Sequence, residues 1–347
     1  MRFLRLSVLF AMTLGIAGLS QTVVGQSSAP AAPKATPQAK KSTTLRTSWG
    51  QPDLTGTWDF RTVTPMERPP EFAGKATLTE QEATDYARRL VEERNADANH
   101  GTTKRKTVNG TAETEDVALA YNDFWWDRGT KVVGTRRTSL IVDPPDGRIP
   151  ALTPEAQKRL AAEDAVREHT AAGPEDRSTA ERCLMGFNSG PPMAPGGYNQ
   201  NVEIVQHPTY VVLLNEMVHN ARVIPLDGRP RVNVKQWAGE SRGHWEADTL
   251  VIETTNFLES TSLRGSSPKM HLVERIRRAD ADSLIYEFTV DDPTTWTKPW
   301  TAQLPMVKSD GLIYEYACHE GNYGMSGILS GARAVDKKAA AGQGSLR

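Results

Sequence analysis

Seven short runs of β-forming residues, each ended by a turn signal, crowd into residues 202–290. Runs this short suit strands better than helices, and their Val, Ile, Thr and Tyr content fits a pleated, half-buried surface. They begin with Val202-Glu203-Ile204-Val205-Gln206 and Tyr210-Val211-Val212-Leu213-Leu214. Ala221-Arg222-Val223-Ile224-Pro225-Leu226 follows and stops at Asp227-Gly228, a dipeptide whose tolerance of positive φ marks a hairpin turn. Residues 234–245 and 249–257 make the next expected pair, joined through Glu246-Ala247-Asp248, and residues 271–277 and 283–291 make the last. In the final run Leu284, Tyr286, Phe288 and Val290 share one face, as a sheet with one dry side requires. The connections leave no room for helical crossovers, so the sheet is expected to be antiparallel. Such a meander points to a mainly β fold that closes into a barrel or half-open barrel, with two or three peripheral helices and long loops.

The rest of the chain reads as export signal, cover and attachment. Arg2 and Arg5 precede the mostly apolar residues 6–19, and Gly25 follows Val23-Val24, the form of a secretory signal peptide over residues 1–25. The apolar run is short for a bilayer and no later segment is long enough, so no membrane span is expected after cleavage. Residues 26–44, rich in Ala, Pro, Ser, Thr and Lys, read as a flexible linker. Residues 45–334 then read as a single β-rich domain with helical insertions, and 335–347 as a disordered polar tail. A periplasmic or secreted location makes the two cysteines informative: Cys183 and Cys318 leave no thiol over and are expected to form a disulfide. The 42 acidic side chains nearly cancel the 41 basic ones, so nucleic acid is not an expected partner and a small neutral or aromatic ligand is.

Within the domain, Leu54, Gly56, Trp58 and Phe60 alternate as on a strand, and residues 137–142 form another strand candidate. Thr79-Glu80-Gln81-Glu82 has the form of a capping box and opens a helix expected to reach Asn95. Thr153-Pro154 is an N-cap and first-turn pair for a helix to about His169. Residues 97–115 read as a loop or as disordered, and Asn109-Gly110-Thr111 within them as a surface turn that matches a glycosylation acceptor. Residues 183–198 form a long Gly/Pro-rich loop just before the meander, and loops of that length are often functional. Residues 296–300 and 313–316 are further strand candidates.

Candidate chemistry is of two kinds. Tyr121-Asn122-Asp123-Phe124-Trp125-Trp126-Asp127-Arg128 is the densest aromatic cluster in the chain. Phe124, Trp125 and Trp126, with Trp296 and Trp300, are candidates for stacking on a ligand, with Asp127 and Arg128 for polar contacts; their alternative role is hydrophobic packing. If the protein is an enzyme, His271, Glu274, His319 and Glu320 are the catalytic candidates. Glu274 shares a face with Leu272 and Ile276, so it is either a buried acid or base or one half of a solvent-side salt bridge. His319-Glu320 lacks the second histidine of a zinc helix, since position 323 is Tyr323, and a site would have to recruit His219, His244 or His271. No metal or cofactor is expected. No Gly-x-Ser-x-Gly elbow, P-loop or dinucleotide fingerprint is present.

Gly56-Thr57-Trp58 resembles the Gly-x-Trp signature on the first strand of lipocalins and related calycin barrels, which hold small apolar ligands. The resemblance implies a calycin-like barrel in which a late arginine packs on the tryptophan, and Arg333 is the one late arginine before the tail. Between Pro52 and Ala334 the chain also resembles a set of exported bacterial proteins of uncharacterised function. That resemblance rests on Arg137-Thr138-Ser139-Leu140-Ile141-Val142-Asp143-Pro144-Pro145-Asp146-Gly147-Arg148, Ile224-Pro225-Leu226-Asp227-Gly228-Arg229-Pro230, Asp291-Asp292-Pro293-Thr294-Thr295-Trp296 and Cys318-His319-Glu320-Gly321-Asn322-Tyr323. It implies export and a shared fold and assigns no catalytic residue. The expected function is binding of a small apolar or aromatic ligand in the barrel mouth; the alternatives are a periplasmic acid/base enzyme and an envelope interaction module. A dry cavity lined by Trp and Leu favours the first, a cavity with a buried carboxylate and histidine the second, and a filled barrel the third.

Overall fold

The computed structural model describes residues 45–99, 105–108, 111–114, 122–259, 263 and 265–344. The expected signal segment and linker, Asn109 of the Asn-Gly-Thr turn, and Tyr121 lie outside the described residues. In chain order the strands and helices are β1 (Gly56–Asp59), α1 (Glu80–Arg94), α2 (Ala96–Asn99), β2 (Arg105–Val108), β3 (Thr111–Thr114), β4 (Ile141–Asp143) and α3 (Pro154–Glu168). Then come β5 (Asn201–His207), β6 (Tyr210–Asn215), β7 (Ala221–Pro225), β8 (Glu240–Glu246), β9 (Thr249–Thr255), β10 (His271–Arg278), β11 (Ser283–Asp291), β12 (Trp300–Lys308) and α4 (Tyr323–Gly344).

Both expected helices start where their caps place them. Thr79 accepts from Glu82 N at 3.2 Å while Glu82 Oε2 accepts from Thr79 N at 2.9 Å, the reciprocal pair of a capping box. Pro154 occupies the first turn of α3, and Thr153 Oγ1 accepts from Ala156 N at 3.1 Å. Residues 105–108 and 111–114, expected to be loop or disordered, instead pair antiparallel as β2 and β3, apart from the main sheet.

Ten strands form one antiparallel sheet in the order β7-β6-β5-β1-β12-β11-β10-β9-β8, with β4 adding to β12. The sheet curls into a nearly closed barrel, mainly β as its alternation predicts. Its two end strands, β7 and β8, come together without a hydrogen-bonded ladder. At Gly243 on β8 a Cβ would press on the side chains of Ile224 and Leu226. Asp227-Gly228 therefore does not turn a hairpin. Gly228 has the expected positive φ of 70°, but residues 226–239 form a loop across the seam. Glu240 holds that loop, accepting from Val232 N at 2.6 Å and Asn233 N at 3.1 Å, which removes residues 234–239 from the strand expected there.

Three further expectations are corrected. The strand expected at 296–300 begins where that range ends, because Trp296 follows the Asp292 turn and the alternation runs on through Trp300, Ala302, Leu304 and Met306. Residues 313–316 have no regular structure. The tail from Val335, expected to be disordered, continues α4 to Gly344; the Ala-rich sequence favours helix, and Arg333 anchors it by donating to Ala171 O at 3.1 Å. Arg333 is therefore not the partner of Trp58. Arg278 on β10 is, with its guanidinium 5.3 Å from the Trp58 ring centre, while Trp58 Nε1 donates to Leu54 O at 2.9 Å.

The inward side chains form one continuous core that includes Trp58, Phe60, Ile204, Leu213, Ile252, Leu272, Tyr286, Phe288 and Trp300. The Gly/Pro-rich loop closes one end: residues 188–193 are buried, and Met193 N donates to the Tyr286 hydroxyl at 3.1 Å. Cys183 and Cys318 form the expected disulfide, Cα to Cα 5.6 Å, tying the start of this loop to the segment before α4. Among the described residues no helix is long and apolar enough to cross a membrane.

Candidate functional site

Glu274 lies on the inward face with Leu272 and Ile276, as the alternation allows, and is 0 % exposed. It is not on the solvent side. Its two oxygens accept from Nη1 and Nη2 of Arg222, each at 2.8 Å, and Oε1 also accepts from the Tyr286 hydroxyl at 2.7 Å. Since β7 and β10 are not neighbours in the sheet, this pair spans the interior and fixes one side of the barrel to the other. Burial, and after it the Glu274 carboxylate, pushes the Tyr286 phenol well above its ordinary pKa, so it stays a donor. A carboxylate with both oxygens bonded and no exposed surface is a structural anchor, and it holds the loop through Met193.

The other acid/base candidates are not brought to it. His271 lies on the opposite face of β10, half-exposed, with Nε2 3.4 Å from Glu253 Oε2. His319 and Glu320 are exposed on the turn after the disulfide. Among the described residues no three His, Cys, Asp or Glu side chains are grouped so as to hold a metal ion.

The aromatic candidates divide. Trp296 and Trp300 are 5 % and 1 % exposed and meet edge to face with ring centres 5.7 Å apart, so they belong to the core. Phe124, Trp125 and Trp126 lie outside the barrel, with Trp125 64 % exposed and in edge contact with Phe124 at 5.4 Å. Trp125 and Trp126 line an open cleft of about 570 Å³ with Tyr198, Asn199 and Tyr316. The rings of Tyr198 and Tyr316 are nearly parallel, 18° apart in plane with centres 6.3 Å apart.

Each wall is held by identifiable contacts. Arg128 covers the Trp126 ring at 3.8 Å, and burial together with neighbouring Arg94 lowers its pKa. Asp127 N donates to Gly197 O at 2.8 Å, and its carboxylate accepts from Arg61 at 2.5 Å. Asp127 and Arg128 thus position the tryptophans and do not line the aromatic cleft itself. Gly197 packs on Trp126 so closely that a Cβ would stand 2.8 Å from the ring. On the far wall, Tyr316 O lies 3.2 Å from His219 Nδ1, and the disulfide at Cys318 pins the segment two residues on. A second cleft of about 520 Å³, lined by residues that include Thr62, Thr64, Arg94, Arg128 and Gly196, lies on the Arg128 side.

Tyr198, Asn199 and Tyr316 escaped the sequence reading. The only local signals for them are the position of Tyr198 at the end of the Gly/Pro loop and of Tyr316 two residues before Cys318.

Fold and site together define a plugged, nearly closed antiparallel β-barrel carrying an aromatic cleft on its exterior. No protein-family model matches the chain, and neither a curated protein nor a solved structure matches it significantly.

Proposed function

We propose that the protein is an exported binding protein for a small apolar or aromatic compound, held in the cleft between Trp125, Trp126, Tyr198 and Tyr316. The observation that carries this reading is the convergence of four large rings, one of them 64 % exposed, on an open cleft of about 570 Å³. Sites for small molecules combine such apolar walls with a few polar groups, here Asn199. The ligand is placed outside the barrel and not in its mouth, because a continuous apolar core leads through the interior and residues 188–193 are buried at one end. Export is supported by the basic and apolar start of the chain and by the disulfide. The calycin-like reading is supported by Trp58 under the Arg278 guanidinium.

The test is incubation of the purified mature protein with an extract of neutral metabolites, followed by mass spectrometry of what is retained and what is altered. A compound retained unchanged is expected, and Trp125→Ala should lower its affinity about tenfold, the loss of one stacking wall. Consumption with turnover would overturn the binding reading in favour of an enzyme. A filled barrel favours the envelope interaction module as second reading, and so does an apolar row on its exterior. Val205, Val212 and Val223 stand in register across β5, β6 and β7, with Val205 and Val223 43 % and 62 % exposed. Neither retention nor consumption would leave that reading in front.

A further inference from the structure

A second site, independent of the aromatic cleft, is marked inside the barrel. Asn215 ends β6 on the inward face behind Val211 and Leu213 and is 1 % exposed. Neither Nδ2 nor Oδ1 of its carboxamide has a hydrogen-bond partner among the described residues. Its backbone N–H donates to Asn220 O at 2.9 Å, which extends the β6–β7 ladder by one pair beyond Leu214 and Ala221. Residues directly opposite in an antiparallel ladder send their side chains to the same face, so Asn220 joins Asn215 on the inside. Asn220 Nδ2 is also buried and without a partner among the described residues. Arg222 follows two residues later on the same face; Glu274 takes its two terminal nitrogens, and Nε is buried and unpartnered.

Buried donors and acceptors are costly to leave unmade and in folded proteins are matched by protein groups or by an ordered guest. The donor set defines that guest. Asn215 Nδ2, Asn220 Nδ2 and Arg222 Nε offer hydrogens, and Asn215 Oδ1 needs one. A carbonyl would leave Oδ1 unmet, a cation would meet Arg222, and a carboxylate would stand close to Glu274. A hydroxyl oxygen, with two lone pairs and one hydrogen, accepts from Asn220 Nδ2 and Arg222 Nε and returns its own hydrogen to Asn215 Oδ1. We infer that this end of the barrel is a binding site for a hydroxyl oxygen, that of an ordered water or of a small polyol, held by Asn215, Asn220 and Arg222. The Gly/Pro loop lies nearby, since a Cβ on its Gly186 would overlap Met217, two residues beyond Asn215.

The first measurement is a high-resolution crystal structure of the full mature protein grown without polyols. Density within hydrogen-bond distance of the three side chains supports the inference, and bare side chains there overturn it whatever any variant does. Asn215→Leu separates a matched carboxamide from an orphan one: it should lower the melting temperature and remove one long-lived water from the magnetic relaxation dispersion of the solvent. An unchanged or higher melting temperature, with the solvent signal intact, would overturn the inference. Titration with glycerol distinguishes the sources. A rise in melting temperature in the wild type that Asn215→Leu lacks assigns the site to a polyol, and an equal response in both assigns it to water.

Discussion

Removing one partner from the Arg222–Glu274 pair leaves the other charged, buried and short of its hydrogen bonds. Arg222→Ala is therefore expected to cost about 3–5 kcal/mol in urea unfolding, whereas the apolar pair Arg222→Met with Glu274→Leu should recover much of that loss. A double-mutant cycle on the two positions measures it. The inward placement of Glu274 was legible from Leu272 and Ile276 beside it; its partner was not, because a contact between strands that do not neighbour each other leaves no local period to read. Asp292 offers a test by pH. Burial alone would raise its pKa, but donors from Thr295, Ser267 and Thr294 outweigh it and hold the carboxyl below its ordinary 3.8. A depressed folded pKa means stability that is present above the unfolded value and lost as pH falls through the folded one. Melting temperature is thus expected to drop as pH falls below about 4, and Asp292→Asn should melt lower at neutral pH with a shallower acid decline.

The Gly/Pro loop is the element on which both sites depend, since it closes the barrel through Met193 and reaches the aromatic cleft through Tyr198. Gly190 in it has φ of 72°, and a Cβ there would overlap the backbone of Pro192 and Met193. Gly190→Ala is expected to destabilise the protein by about 1–3 kcal/mol, measured by chemical denaturation. Composition showed that residues 183–198 are a loop, since Gly and Pro break periodic structure. It did not show that the loop enters the barrel end, because that depends on Tyr286 presenting a hydroxyl to Met193 from a strand far along the chain. The α1 and α3 starts were legible because a cap is a local hydrogen bond between residues three apart. Strand β12 was not, because Pro305 lies within it and has no N–H to give a ladder.

At the scale of the molecule, the disulfide joins the two chain segments that carry Tyr198 and Tyr316. Cys318→Ser, or reduction, is expected to lower stability by about 2–4 kcal/mol and to weaken retention of the cleft's ligand, checked by melting and binding with and without reductant. The seven-run meander was read correctly as one antiparallel sheet. Its strand order was not legible, because the strand that joins its halves lies far outside the meander. β1 is only four residues long, yet it is paired on one side with β5 and on the other with β12, Trp58 facing Val202 and Lys308. In order of synthesis the first of the described strands is paired on one side with the last. The two halves of the sheet cannot be stitched together until nearly the whole chain is available, so assembly is non-local and slow. Until β12 is made, β1 can pair on one side alone and the sheet stays in two parts, β5–β7 with β1 and β8–β11.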